Sequence, residues 1–311
     1  MRNRIAPAIP SCRSAPRKGI SGDQECKTTF WRMTVVLAEL ILRRHWFRGN
    51  DMAITKKIAQ FIIRTANRGG VSITVPVRSG VGQGLRIHLL NATREHMNGS
   101  CELPVQQCLA DRLKPGDVFL DIGANIGFFS IIAARLVGPR GHVFAIEPVP
   151  GNVSCIHDNA RVNGLGNVKV VPLAAGASDS TGILYLAAHS GGATLSSADL
   201  PPDLTRAMEV SVLSIDYLIE SGRIEVPAMV KIDVEGTEMA VLDGMRRTLD
   251  IHRPMVVFEV DDEQPAVAED KYAALAGRLE QHGYRVERLG RSYQGIPWSV
   301  IHGLALHDGA A

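Results

Sequence analysis

No two cysteines of this 311-residue chain fall in a C-x-x-C spacing, and the five present (Cys12, Cys26, Cys101, Cys108, Cys155) are odd in number. That argues against a zinc cluster or a disulfide framework. It suits a reducing, cytoplasmic setting in which thiols act as small buried apolar groups. Long hydrophobic runs are also lacking. "MTVVLAELIL" (33–42) contains Glu39 and is far shorter than the ~20 residues of a membrane span. There is no internal repeat and no low-complexity block. Excess charge of one sign is missing too, the net being +2. Residues 1–50 hold ten Lys/Arg against three Asp/Glu, so the remainder is mildly acidic. A basic nucleic-acid groove on the main body is therefore not expected.

Residues 1–27 are rich in Arg, Ser, Pro and Gly, without apolar periodicity or a secretory h-region, and open an extension that runs to residue 51. Residues 1–51 read as a disordered or dispensable basic extension. A short amphipathic helix at 33–42, with Arg43, Arg44 and Arg48 beside it, would suit a membrane surface. Met52 opens "MAITKKIAQFIIRTANR", a plainer start and an amphipathic helix. Residues 52–100 read as that helix plus a hairpin, with strands at 71–77 and 85–89.

From 101 to 308 the pattern is one α/β domain. A helix is expected over 101–117, with Leu103, Val105, Cys108, Leu109 and Leu113 on one face. Strands follow at 118–122, 141–147, 167–175, 226–235 and 254–260, with helices at 126–138, 148–164, 236–249 and 265–282. The strands are continuous apolar runs, as in a parallel sheet covered on both faces. Runs at 283–289 and 298–306 suit an antiparallel end to the sheet. Two more strands, 182–188 and 208–215, flank the loop 189–203.

"FLDIGANIGFFS" (119–130) carries the chemistry. In an open α/β sheet, ligands bind where strand order reverses. Gly123 and Gly127 allow a tight turn and close approach of a ligand. The next strand ends at Glu147, whose carboxylate can accept both hydroxyls of a ribose. Turn and acid together indicate an adenosine ligand. The spacing lacks the G-x-G-x-x-G of a pyrophosphate cradle. Asp121, just before the turn, would repel pyrophosphate but suits an amino group. An adenosine joined to an amino acid is S-adenosylmethionine.

"DIGANIGFFS", "EPVPGNVSCIHDNARVNG", "AGASD" and "VKIDVEGTEMAVLDGM" followed by "PMVVFEV" occur in the order found in the FkbM family of class I S-adenosylmethionine-dependent methyltransferases, which this chain resembles over roughly 100–262. The resemblance implies a doubly wound, seven-stranded Rossmann-like methyltransferase sheet and O-methylation of a sugar, glycan or natural-product hydroxyl. It places Asp121, Gly123, Asn125 and Gly127 at the methionine side of the cofactor. Glu147 would hold the ribose, braced by Pro148 and Asn152, and Ala175 to Asp179 would border the adenine. Asp233 would lie where the methyl is transferred.

A sugar hydroxyl needs its proton removed as the new bond forms. The candidate bases are Asp233, Glu235 and His189; Glu235 would equally cap the next helix, and His189 lies in a variable loop. Asp233, Glu259, Asp261 and Asp262 at adjacent strand ends would suit Mg²⁺, though nothing in the sequence requires a metal. The expected partner is a small-molecule or glycan acceptor, and a homodimer stays open. Two other readings remain: a non-catalytic S-adenosylmethionine-binding module, and a nicotinamide-dependent reductase.

Overall fold

A computed structural model describes residues 73–89, 92–187, 193–195, 204–293 and 296–307. The expected extension, the helix after Met52 and His189 lie outside the described residues. No described helix is long and apolar enough to cross a membrane.

Seven strands form the central sheet. In spatial order they are β12 (Tyr284–Arg288), β13 (Ser299–His307), β11 (Met255–Asp262), β10 (Met229–Ile232), β3 (Val118–Ile122), β4 (His142–Ile146) and β5 (Val168–Val171). The five from β11 to β5 are parallel, and β13 and β12 close the sheet antiparallel. Parallel strands buried on both faces are largely apolar, and β10 and β4 read that way apart from Lys231 within β10 and His142 at the start of β4. The chain runs outward from β3 to β5, then returns to β10 beside β3. Strand order therefore reverses between β3 and β10, at their carboxyl ends, which opens a crevice there.

Helix α3 (Phe128–Val137) is apolar on nearly every side because it packs between the sheet and its neighbours. Its last carbonyls, at Ala134 and Gly138, accept from Asn167 Nδ2 at 3.0 and 2.9 Å. Before the sheet come the hairpin β1 (Thr74–Pro76) and β2 (Arg86–His88), then α1 (Arg94–Asn98) and α2 (Leu103–Arg112). Helix α4 (Pro150–Val162) ties the hairpin to the sheet through Asn159, which is fully buried. Its Oδ1 accepts from His88 N at 2.6 Å, and its Nδ2 donates to Ile126 O at 2.7 Å.

Four expectations are corrected. Residues 167–175 are not one strand. Pro172, which has no N–H for a ladder, follows β5, and β6 (Ala174–Ala175) leaves the sheet to pair with β9 (Leu204–Leu213). With β7 (Ser180–Ala187) and β8 (Ala193–Thr194), these make a second, four-stranded sheet in the order β6-β9-β7-β8. Strand β9 ends before Ser214, which caps α5 (Ile215–Glu220). The helix expected over 236–249 stops as α6 (Glu238–Asp243) at Gly244, followed by a π-helical turn, Thr248–His252. Gly244 approaches Gly176 so closely that a Cβ there would meet Gly176 O at 1.9 Å. On α2, Leu103 is exposed rather than on the buried face. Helix α7 (Pro265–Gln281) covers β11 to β13 as expected.

Asn159→Ala should cost roughly 2–5 kcal/mol, since it strands a buried N–H and a buried carbonyl. Urea unfolding measures this, and a loss under about 1 kcal/mol would mean that the hairpin is held by other contacts.

Candidate functional site

The crevice holds a cavity of about 570 Å³, within the range of small-molecule sites. Its near wall is the turn from β3 to α3. Three of the five residues from 123 to 127 adopt left-handed backbone: Gly123 (φ 80°), Asn125 (φ 51°) and Gly127 (φ 79°). This is why the turn contains two glycines and an asparagine, the side chain that best tolerates that conformation after glycine. Gly123 is also held by contact. A Cβ there would lie 1.8 Å from Asp233 O, just after the adjacent strand β10.

Glu147 sits at the end of β4 and is 4% exposed. Its Oε2 accepts from Asn125 N, and its Oε1 accepts from Val149 N, both at 2.8 Å; Asn152 Nδ2 donates to Oε1 at 3.3 Å. The carboxyl therefore braces the glycine turn and still has lone pairs for a ligand. Burial raises its pKa to about 7 against those donors.

Gly123, Asn125, Glu147, Pro148, Asn152, Ala175, Asp233 and Glu235 all line the cavity. Asp121, Gly127 and Asp179 lie outside that lining. Asp121 is buried beneath the turn, where Ser130 Oγ donates to its Oδ2 at 2.5 Å and its Oδ1 has no hydrogen-bond partner among the described residues. Gly127 begins α3 against Ile156. Asp179 accepts from Ser214 N at 3.2 Å, fixing the entry to α5. The second sheet supplies an apolar wall of Leu184, Leu186, Ala193 and Leu195. Thr194 Oγ donates to Glu235 O at 2.6 Å and joins that wall to the segment after β10.

Several residues at the far end escaped the sequence reading. Lys231, 2% exposed on β10, pairs with Asp233 Oδ2 at 2.6 Å and lies 4.6 Å from the centre of the Phe129 ring. Burial opposes its charge, but Asp233, Glu102, Asp121 and Glu259 outweigh that and raise its pKa. A lone lysine inside "VKIDVE" was the available signal. His302 on β13 and Glu102 before α2 are 200 positions apart in sequence, so no local pattern joins them. His96 on α1 accepts at Nδ1 from Thr93 N at 3.1 Å. Burial lowers its pKa to about 4, so the neutral ring carries its proton on Nε2.

The floor is rich in acids held protonated. Burial, reinforced by Asp261 and Asp233, raises Glu235 to about 9. Burial raises Glu238 to about 8, against hydrogen bonds that include the one from Gly236 N. Glu259 is pushed up to about 8 by burial and by Asp233 and Glu102. Such groups hold protons more tightly folded than unfolded, so their contribution to stability is full below the ordinary 4.5. It is lost as pH rises through about 7 for Glu147, 8 for Glu238 and Glu259, and 9 for Glu235. The ligand-free protein should therefore lose thermal stability across that window, and Glu235→Gln should blunt the loss. A melting temperature that rises towards pH 9 would refute this electrostatic account.

Comparison with known proteins bears on what this crevice serves. The model of the methyltransferase FkbM domain matches residues 121–286. The chain is 30% identical over 230 residues to 31-O-demethyl-FK506 methyltransferase FkbM of Streptomyces tacrolimicus, covering 63% of this chain and 86% of that protein. It is 33% identical over 153 residues to hexuronic acid methyltransferase AglP of Haloferax volcanii, covering 48% of this chain and only 58% of the relative. A solved methyltransferase FkbM from Methylobacillus flagellatus KT superposes with a TM-score of 0.45 at 14% identity, covering 91% of this chain and 60% of that one. By the domain match and the first relative, this chain belongs to the FkbM methyltransferase family.

Proposed function

We propose that the protein transfers a methyl group from S-adenosylmethionine to a hydroxyl of a sugar, glycan or natural product. The observation that carries this reading is the cavity at the switch point. There Glu147 meets a turn whose Gly123 has no room for a Cβ beside Asp233 O, and Asp233 and Glu235 line the same cavity.

The residues fit such a donor. Gly123 and Asn125 line the cavity where the methionine portion would lie, and Glu147 has acceptor capacity for the ribose hydroxyls. Pro148, Asn152 and Ala175 line the cavity beside it, where ribose and adenine would be held. Asp121 supports the turn from beneath, because Ser130 already donates to it and it is buried. The bound donor supplies an activated methyl on a sulfonium, so the protein's share is alignment, exclusion of water and management of the acceptor's proton. The apolar wall of Leu184, Leu186 and Leu195 gives the acceptor or the adenine a dry flank. For the acceptor class, support comes from the relatives' names: one acts on a hexuronic acid, the other on an O-demethyl natural product.

Calorimetric titration with S-adenosylhomocysteine tests the donor. Micromolar binding is expected, weakened at least about tenfold by Glu147→Ala, the equivalent of roughly 1.4 kcal/mol. Gly123→Val should abolish it. Absence of binding by the folded wild-type chain, or an unaltered affinity in both variants, would overturn the assignment.

A further inference from the structure

Resting on that reading, we infer that the acceptor is a neutral sugar, and that the crevice turns away the same ring once it carries a carboxylate or a phosphate. The observation behind this is the make-up of the cavity beyond Glu147 and the glycine turn. Glu95, Glu102, Asp233, Glu235 and Glu259 line it, and no lysine or arginine is among the described lining residues. The internal segments outside the described residues, 90–91, 188–192, 196–203 and 294–295, contain no lysine or arginine in sequence either. Glu95, His96, Glu102 and Tyr293 lie outside residues 121–286, which the family domain spans, so the domain match does not dictate this part of the wall.

Two cations lie behind the wall, and both are already shared. Lys231 pairs with Asp233 at 2.6 Å and also faces Glu102, Asp121 and Glu259. The His302 imidazole, 2% exposed, has its Nε2 2.5 Å from Glu259 Oε2 and 3.3 Å from Glu102 Oε2. Burial works against its charge, yet its hydrogen bonds to Glu102 and Glu259 push it up to about 10. Neither side chain lines the cavity. Burial raises Glu102's pKa, but Lys231 and His302 pull it down to about 2, so a permanent anion stands on the lining. The other carboxyls, ionised or protonated, bring no positive charge to meet an anionic acceptor. One unmatched carboxylate about 6–12 Å from such an anion, at an effective dielectric of about 20, weakens binding by about 100- to 10-fold.

A neutral sugar suits the same wall. Carboxylates accept from neighbouring hydroxyls in pairs. His96 donates in return from Nε2–H, because its Nδ1 accepts from Thr93 N at 3.1 Å, and Tyr293 adds a phenol. Asn125 Oδ1, buried and without a hydrogen-bond partner among the described residues, is an acceptor for a further O–H from a ligand. The inference sets this chain's acceptor apart from the hexuronic acid in one relative's name. Glu102, Glu259 and His302 are also close enough together to hold a metal ion, which would reverse the local charge, so the test includes one.

The test uses the full-length protein loaded with S-adenosylhomocysteine and ligand-observed NMR with matched pairs of methyl pyranosides. Each glucoside, galactoside or mannoside is set against its uronide, which differs only in a carboxylate for the C6 alcohol. At least one neutral glycoside should bind, and its uronide should bind at least about tenfold more weakly. Glu95→Lys places a cation on the exposed first turn of α1 and should move the ratio towards the uronide by about tenfold. Glu102→Gln removes the buried anion and should move it the same way; if that variant does not fold, Glu95→Lys still decides. A uronide that binds as tightly as its glycoside, no binding of any neutral glycoside, or a ratio unmoved in a folded variant would overturn the inference. So would Mn²⁺ that turns the preference to the uronide and is reversed by chelator. If S-adenosylhomocysteine itself gives no binding heat, the donor reading fails instead, and the preference between glycoside and uronide is read on the unloaded protein.

Discussion

The buried ammonium of Lys231 is the constraint around which the crevice is organised. A lysine at 2% exposure is costly unless its charge is met. Here it is met by carboxylates from different parts of the chain: Asp121 beside it on β3, Asp233 on its own strand, Glu102 before α2 and Glu259 on β11. None of these acids would be tolerable there alone. Together they fix β3, β10 and β11 in register at the ends where the cavity opens. The Phe129 ring beneath the ammonium adds a further reason for α3 to seat as it does.

Charge balance also explains why the acids of the floor differ so much from one another. Glu102, facing both Lys231 and His302, stays ionised, whereas burial and the neighbouring acids raise Glu259 even though His302 touches it. The crevice thus holds anions, proton donors and a strongly held imidazolium within one small volume. Their individual characters depend on burial and on the sum of neighbouring charges rather than on residue type. Glu102 and Glu259 are the same side chain, yet lie about 2 and about 8 on the pH scale.

Much of this architecture was legible in the sequence because its signals are local. Continuous apolar strands ending in Asp-Ile-Gly or Ile-Glu-Pro marked the parallel sheet, and the spacing between them located the turn and Glu147. What escaped was long-range or subtractive. Pro172 splits an apparent strand by lacking an N–H, and Gly244 ends a helix that periodicity would carry onward. Glu102 and His302 meet only because β13 inserts between β11 and β12, a pairing that no spacing rule encodes. Asp121 was recognised as special, but its place is beneath the turn rather than in the cavity. A carboxylate's position along a strand does not reveal on which side of a crevice it falls.

The break at Pro172 has a consequence for how such a chain can diversify. Because β6 departs from the central sheet, the four-stranded sheet that walls the cavity forms its own ladder, and among the described residues its strands do not pair with the seven-stranded one. Its length and side chains can therefore change without disturbing the register of β3, β4, β5 or β10. Glu147 and the glycine turn would keep their geometry while the opposite wall is rewritten. The fold separates an inherited half of the crevice from a replaceable one, and a lineage can alter what it accepts at little cost to what it holds.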